Sequence, residues 1–545
     1  MPIKKYLADA DNTIVNTFQN NLQTRGTGAN TGMADILETY SVYGRQASGS
    51  QELSRILVKF PTTSIASDRS SGNLPDSGSV NFYLRLFNAE TSRTVPRKLD
   101  IVVHAVSQSW QEGVGLDLGS YTDLTNGNEG SNWMSSSNTA FWTDINDTLL
   151  AGGSYHTQSV PNADVNTEVH IFKQRFESGL EDLEINITPL VEQWLDNTYS
   201  NYGVGIALSA SQEAYISGAL DTVTKRTPRL PDPADTKQSV IYNPSGSTKS
   251  YYTKRFFARG SQFFFKRPVI EARWNNITRD DRGDFYYSSS LASGEDNLNT
   301  LYLYNYIRGR LANIPSIGTT GSIMVSLYSG SADNTEPSGS KLILYDGTTS
   351  ITGGFVSTGI YSCSIAVTSS DTPISTLYDV WHSGSMKNEH ATATSLEYFT
   401  GSIIPKSQAS SFAVNTKSYF INITNLRNEY AKNENARFNL YIRNKNWSPT
   451  IYTKAKENPP HHPIVSSSYR VFRILDALEA IPHNTGSDFA TGMSYDVSGN
   501  YFNVDMKLLD PGYEYGFKFA FYDEELDSWT EQDKIFKFRV LEDEY

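Results

Sequence analysis

The stretch Leu508-Leu509-Asp510-Pro511-Gly512-Tyr513-Glu514-Tyr515-Gly516-Phe517-Lys518-Phe519-Ala520-Phe521 decides the fold class. Leu508 and Leu509 end one strand and Pro511-Gly512 turns the chain. In the next strand Tyr513, Tyr515, Phe517, Phe519 and Phe521 fall on one face, with Glu514, Gly516 and Lys518 opposite. A strand of this kind is one wall of a β-sandwich. The spacing Leu509-x-Pro511-Gly512-x-x-Tyr515 is that of a tyrosine corner, in which a phenol at the start of a strand bonds back to the preceding loop and pins a Greek-key crossing. The expected fold class is all-β, and modules of this kind bind, space and scaffold more often than they catalyse.

Working outward, 545 residues exceed a single sandwich and suggest about three or four domains. Only 38% of residues are apolar, but 33 are Tyr against 7 Met, a balance that suits short strands, long loops and wet contact surfaces. The formal net charge of −13 leaves no electrostatic footprint for a phosphate backbone, so nucleic acid is excluded as an expected partner. Cys363 is the one cysteine, which rules out an intrachain disulfide and a thiolate metal cage. The first ten residues lack the apolar core of a signal peptide, and no later segment approaches roughly 18 uninterrupted apolar residues. Folding in a cytosol, without membrane insertion, is expected.

Three modules follow from the spacing of strand and turn signals. Residues 1–274 carry strand patterns at 54–60, 80–87, 99–106 and 263–274, and a short helix at 189–195 with Thr188 as N-cap and Pro189 in its first turn. Residues 222–253 concentrate Pro, Lys, Asp and Ser and read as an insertion or surface loop. Residues 275–405 form a second sandwich, with strands at 302–308, 322–328, 341–345 and 361–367. Residues 406–545 form a third, with strands at 418–423, 436–442, 469–475 and 500–508 and the tyrosine-corner strands. Phe536, Phe538 and Val540 alternate with Lys537 and Arg539 as a last edge strand.

Several segments of the first module occur in the order of a known family. They are Ala8-Asp9-Ala10-Asp11-Asn12-Thr13-Ile14, Asn30-Thr31-Gly32-Met33-Ala34-Asp35, Arg55-Ile56-Leu57-Val58-Lys59-Phe60, Trp110-Gln111-Glu112-Gly113, Trp133, Ile185 to Trp194, Asn201-Tyr202-Gly203 and Arg267-Pro268-Val269-Ile270-Glu271-Ala272. This series resembles a DNRLRE domain, a jelly roll of the carbohydrate-binding-module type, with Asn186 where that family commonly has Asp. Together with Asn299 to Tyr306 and Ser494 to Phe502, the chain resembles, nearly end to end, the virion structural proteins of tailed marine phages of the T4-like group. The resemblance implies an N-terminal jelly-roll sandwich followed by two immunoglobulin- or fibronectin-III-like β-sandwich domains.

Motifs that carry chemistry are sparse. Gly26-Thr27-Gly28-Ala29-Asn30-Thr31-Gly32 lacks the preceding apolar strand and following helix of a phosphate loop and reads as a turn. No P-loop, nucleophile elbow, zinc-protease helix or EF-hand occurs. Asp9, Asp11 and Asp35 are the candidate Ca²⁺ ligands, weighed against turn and capping roles. Trp110, Trp133, Trp142 and Trp194 are candidates for stacking on sugar rings, weighed against core packing, with Trp110 and Trp133 the two put forward. His461-His462 on an extended chain point to opposite faces, which favours a solvated loop over a metal site. Arg282-Gly283-Asp284 reads as a glycine turn flanked by charges. No residue is assigned a catalytic role and no cofactor is expected.

The expected function is that of a non-enzymatic virion structural protein, made and assembled in the bacterial host cytoplasm. It would dock in multiple copies onto a symmetric head, neck, tail or baseplate scaffold of other virion proteins. The Tyr-rich strands and the edge at 534–540 are the expected contact elements. The alternative is an adhesin whose jelly roll binds host-surface glycan, and a polysaccharide-degrading enzyme is a third reading.

Overall fold

The computed structural model describes residues 2–18, 26–44, 50–91, 95–116, 129–144, 146–147, 149–156, 171–216, 241–288, 291, 293–331, 333, 335–368, 374–383, 396–406, 418–445, 447, 461–523 and 526–542. The fold is all-β, with the strands gathered into stacked and folded sheets. The chain divides into two compact units, one made of Met1–Asn275 with Gly486–Ala490, the other of Asn276–Thr485 with Thr491–Tyr545.

Unit 1 is a sandwich. One sheet runs in the order Ile3–Leu7, Val269–Arg273, Asn81–Leu86, Leu183–Asn186, with every pair antiparallel. The other runs Tyr251–Phe257, Ile36–Gly44, Ser50–Lys59, Val204–Leu208, Leu99–Ala105, Ile171–Phe176, and Ala10–Val15 also pairs with Ser50–Lys59. Alternation sorts the residues. Phe82, Leu84 and Ile270 of the first sheet meet Ile56, Val58, Ile101, Val103 and Ile206 of the second in one core. The run Ile56-Leu57-Val58 is apolar on both faces because both faces are covered. Leu53 and Leu57 point away from the main core into a second cluster with Ile14, Trp133, Met134 and Trp142.

Among the described residues two α-helices complete unit 1. Thr188–Leu195 buries Leu190, Val191 and Trp194 as its apolar spacing predicts. Its start differs from expectation: the Asn186 carboxamide oxygen takes the Thr188 N–H at 2.9 Å, and the Thr188 hydroxyl accepts the N–H of Phe82 at 2.8 Å. Thr188 therefore ties the helix to the adjacent strand; the N-cap position is Ile187, without a capping side chain, and Asn186 before it takes the first helical N–H. Helix Thr62–Ser70 has no counterpart in the sequence reading, because only Ile65 of its residues is buried and no apolar period marks it.

Other boundaries move as well. The expected strand over 263–274 is a 3-10 turn at Phe264–Lys266 followed by strand Val269–Arg273, since Pro268 interrupts the pairing. The strand expected at 341–345 lies at Pro337–Lys341. Of the 222–253 segment, residues 222–240 lie outside the described residues, and its last residues open strand Tyr251–Phe257.

Unit 2 holds two groups of sheets. The first is a seven-stranded sheet in the order Asn299–Tyr304, Ile360–Ile365, Ile351–Ser357, Ile323–Gly330, Leu377–His382, Glu397–Ile403, with Pro337–Lys341 beside Ile323–Gly330. It surrounds Leu301, Leu303, Val325, Leu327, Tyr361 and Trp381. The second group is a sandwich. A sheet of Tyr419–Ile423, Asn435–Asn444, Gly499–Asp505 and Ser494–Asp496 faces one of Glu429–Ala431, Phe536–Leu541, Glu514–Asp523, Ser467–Arg473 and Glu479–Ile481, joined by Ser528–Glu531.

The tyrosine corner is present. The Tyr515 hydroxyl donates to the Asp510 carbonyl at 2.9 Å and accepts the Asp510 N–H at 2.9 Å, and Gly512 turns the chain with φ +89°. Tyr515, Phe517, Phe519 and Phe521 are buried as the alternation requires, whereas Tyr513 is only half-buried. The edge-strand reading of 536–540 is corrected. Phe536–Leu541 pairs antiparallel with Glu514–Asp523 on one side, and on the other its last residues, Arg539–Leu541, pair parallel with Glu429–Ala431, so the edge is covered over that part of the strand.

Candidate functional site

The residues singled out in unit 1 do not converge. Asp9 and Asp35 are exposed, whereas Asp11 is buried. An Asp11 carboxylate oxygen accepts the Arg259 backbone N–H, and the Asp11 N–H donates to Glu112 Oε1 at 2.9 Å. Glu112 in turn takes the Arg259 guanidinium at 2.8 and 3.0 Å. Burial, reinforced by the Glu112 charge, pushes the Asp11 carboxyl up to about 7 against the pull of Arg259. Asp35 lines a separate pocket of about 240 Å³ with Thr13, Thr31, Glu38 and Arg255. Among the described residues no group of three His, Cys, Asp or Glu side chains is placed to hold a metal ion.

The tryptophans serve the fold. Trp133 is 0% exposed, beneath the Arg55 guanidinium at 5.6 Å from its ring centroid, and presents no face to a sugar. Trp110 is half-buried against the same cluster, and its indole N–H donates to the Tyr202 carbonyl at 2.7 Å. Trp142 and Trp194 are also buried. The glycine-rich turn around Gly32 packs backbone on backbone, since a Cβ at Gly32 would lie 2.2 Å from the Gly113 carbonyl oxygen. Gly32 serves close approach.

In unit 2 the His461 and His462 rings diverge: His462 stacks on Tyr419 at 6.0 Å and His461 lies beside Gly499. His170 and His390 lie outside the described residues. Arg282 of the Arg-Gly-Asp tripeptide is turned inward, its guanidinium held on both oxygens of the buried Asp379. Asp284 pairs with Lys406. The tripeptide is thus split between an interior ion pair and a surface one.

A site does form where Asp281 and Asp284 face outward. Residues 278–280 run along Ser494–Asp496: Thr278 N–H bonds Ser494 Oγ at 2.9 Å, Tyr495 N–H the Thr278 carbonyl at 3.0 Å, and Asp280 N–H the Tyr495 carbonyl at 3.0 Å. This added strand brings the Tyr495 hydroxyl onto Asp281 at 2.6 Å. Asp281 also accepts the Thr300 N–H at 2.6 Å. The result is an open cleft of about 450 Å³ within unit 2, with Arg279, Asp281, Asp284, Tyr286 and Tyr495 in its walls and Leu298 and Val465 beside them.

The cleft is organised from behind. The Asn299 carboxamide accepts the Tyr286 N–H at 3.0 Å and donates to the Tyr286 carbonyl at 2.9 Å, which fixes that residue's backbone. Burial raises the Asp281 carboxyl against the stabilising pull of the Tyr495 hydroxyl and the Thr300 N–H, and burial raises Asp280 behind it to about 6. Tyr495 is pushed upward by burial and by Asp281, so it is the donor of that bond. Sequence reasoning read Asp284 only as part of a turn and missed Asp281 and Tyr495, which stand 214 positions apart. No spacing rule links them.

No protein-family model matches the chain, and the curated proteins compared with it give no match.

Proposed function

We propose that the chain is a non-enzymatic structural protein of a virion, docking in several copies onto a symmetric scaffold through the surfaces of its sandwiches. The observation that carries the docking reading is an aromatic patch on unit 1. Phe263 and Phe264 stand 47% and 36% exposed, and Phe263 packs edge-on against Phe257 at 5.3 Å between ring centroids. Lys266 lies over the Phe257 and Phe263 rings at 5.1 and 5.7 Å, and Arg267 over Phe264 at 5.7 Å. Aromatic rings with cations among them are the composition of the energetic centre of protein interfaces, and this one is set in a chain of net charge −13. Because the last residues of strand Phe536–Leu541 are paired on both sides, this patch takes precedence over that edge as the contact element. Repetition around an axis lets weak contacts sum to firm attachment.

The reading is tested by mass spectrometry of purified particles. The chain is expected in them at a fixed ratio to the major structural proteins, and Phe263→Ser with Phe264→Ser is expected to lower that ratio while leaving the soluble chain folded. Absence from particles, or full incorporation of the double variant, contradicts the proposal in its first or second part respectively.

A further inference from the structure

The unit 2 cleft has the chemistry of a saccharide site, and we propose that it binds a neutral oligosaccharide. Three observations combine. First, its charges are close to balanced: Arg279 lines the cleft with Asp281 and Asp284, and Asp284 is paired with Lys406 outside the lining, so the cleft exerts little net pull on a phosphate or an ammonium group. Second, Tyr286, Leu298 and Val465 offer apolar surface at 36%, 38% and 42% exposure, enough for the C–H face of a pyranose but not for a dry apolar ligand. Third, the polar groups are held before any ligand arrives.

Asp281 is fixed by Tyr495 and Thr300, Asp284 by Lys406, and Tyr286 by Asn299. A carboxylate that already accepts one bond per oxygen keeps a further lone pair on each. Asp281 is such a group, and with Asp284 and the exposed Arg279 guanidinium beside it it presents acceptors and donors together, the pattern that neighbouring ring hydroxyls satisfy, since each hydroxyl both donates and accepts. The volume of about 450 Å³ lies within the roughly 300–1,000 Å³ typical of small-molecule sites. This assigns any glycan recognition by the chain to unit 2, away from the buried tryptophans of the jelly-roll candidate.

The test is saturation-transfer NMR on the full chain with maltotriose, cellotriose, mannotriose and N,N′-diacetylchitobiose, and a sialylated trisaccharide as the anionic probe. At least one neutral probe is expected to bind saturably, with Kd on the order of 0.1–10 mM. Arg279→Ala and Tyr286→Ala are each expected to weaken it roughly tenfold, and Leu475→Ser, at an exposed position outside the cleft, to leave it unchanged. Both cleft positions are partly exposed, so circular dichroism and unfolding midpoints are expected to match the parent chain. No saturable binding of any neutral probe, binding that survives both cleft substitutions, or tighter binding of the sialylated probe would each overturn the proposal. The measurement does not involve particles, so its failure is separate from failure of the virion reading.

Discussion

In unit 1, the outer face of the sheet containing Ile3–Leu7 carries Arg85, Glu184, Glu271 and Arg273 as linked ion pairs, with Arg85 on Glu271 at 3.0 Å and Arg273 on Glu184 at 2.7 Å. Lys5 lies opposite Glu271 in the register. In the C-terminal sandwich of unit 2, Phe438, Tyr469, Phe502, Phe517 and Phe538 meet ring to ring, with centroids as close as 4.4 Å between Tyr469 and Phe502 and 4.6 Å between Phe517 and Phe538. Both regions join antiparallel strands, but with different physics. The ionic lattice specifies partners and answers to pH, whereas the aromatic core draws on buried area and ring geometry and is indifferent to it.

That contrast is sharpened by substitution, starting where the effect is greatest. Phe517→Ala empties the centre of the aromatic core and is expected to lower the stability of the sandwich by about 3–5 kcal/mol, with little dependence on pH, in denaturant unfolding. Glu271→Gln leaves the buried Arg85 and Arg273 and the half-buried Lys5 around a neutral group and is expected to lower stability by about 3 kcal/mol at pH 7. Burial alone would raise the Glu271 carboxyl, but Lys5, Arg85 and Arg273 hold it down to about 2 from an ordinary 4.5. Its contribution is therefore complete above about pH 4.5 and is lost as pH falls toward about 2, and the variant should flatten that acid limb.

Asp11 runs the other way. Its carboxyl is raised to about 7 from 3.8, so the folded chain holds its proton more tightly and stability falls as pH rises through that window. Asp11→Asn keeps an acceptor for the Arg259 N–H and is expected to gain roughly 1–3 kcal/mol at pH 8 and none at pH 3. The smallest change is Tyr515→Phe, which removes both bonds to Asp510 and is expected to lose about 1–2 kcal/mol in the same unfolding assay. If Phe517→Ala proved strongly pH-dependent, or Glu271→Gln had no effect on the acid limb, the contrast between the two regions would fail.

What the sequence discloses follows the same division. Period-two alternation made Tyr515, Phe517, Phe519 and Phe521 readable as a buried face, and the Leu509 to Tyr515 spacing disclosed a hydrogen bond that the structure contains. Contacts set by distant partners were not readable. The parallel companion of Phe536–Leu541 is the three-residue strand Glu429–Ala431, too short to show a pattern. Trp133 is core because a loop folds it over Leu53 and Leu57, and a lone tryptophan carries no mark of that. The unit 2 cleft depends on residues 278–281 meeting Tyr495, a pairing that local propensity does not encode.

The central claim, that this chain is a component of a virion built to dock by sandwich surfaces, is tested most directly by immunogold labelling of intact particles with antibody to residues 406–545, read by electron microscopy. The account predicts gold confined to one structural region, head, neck, or tail and baseplate, at the same place on every particle. Unlabelled particles, with the chain absent from them by mass spectrometry, would contradict it.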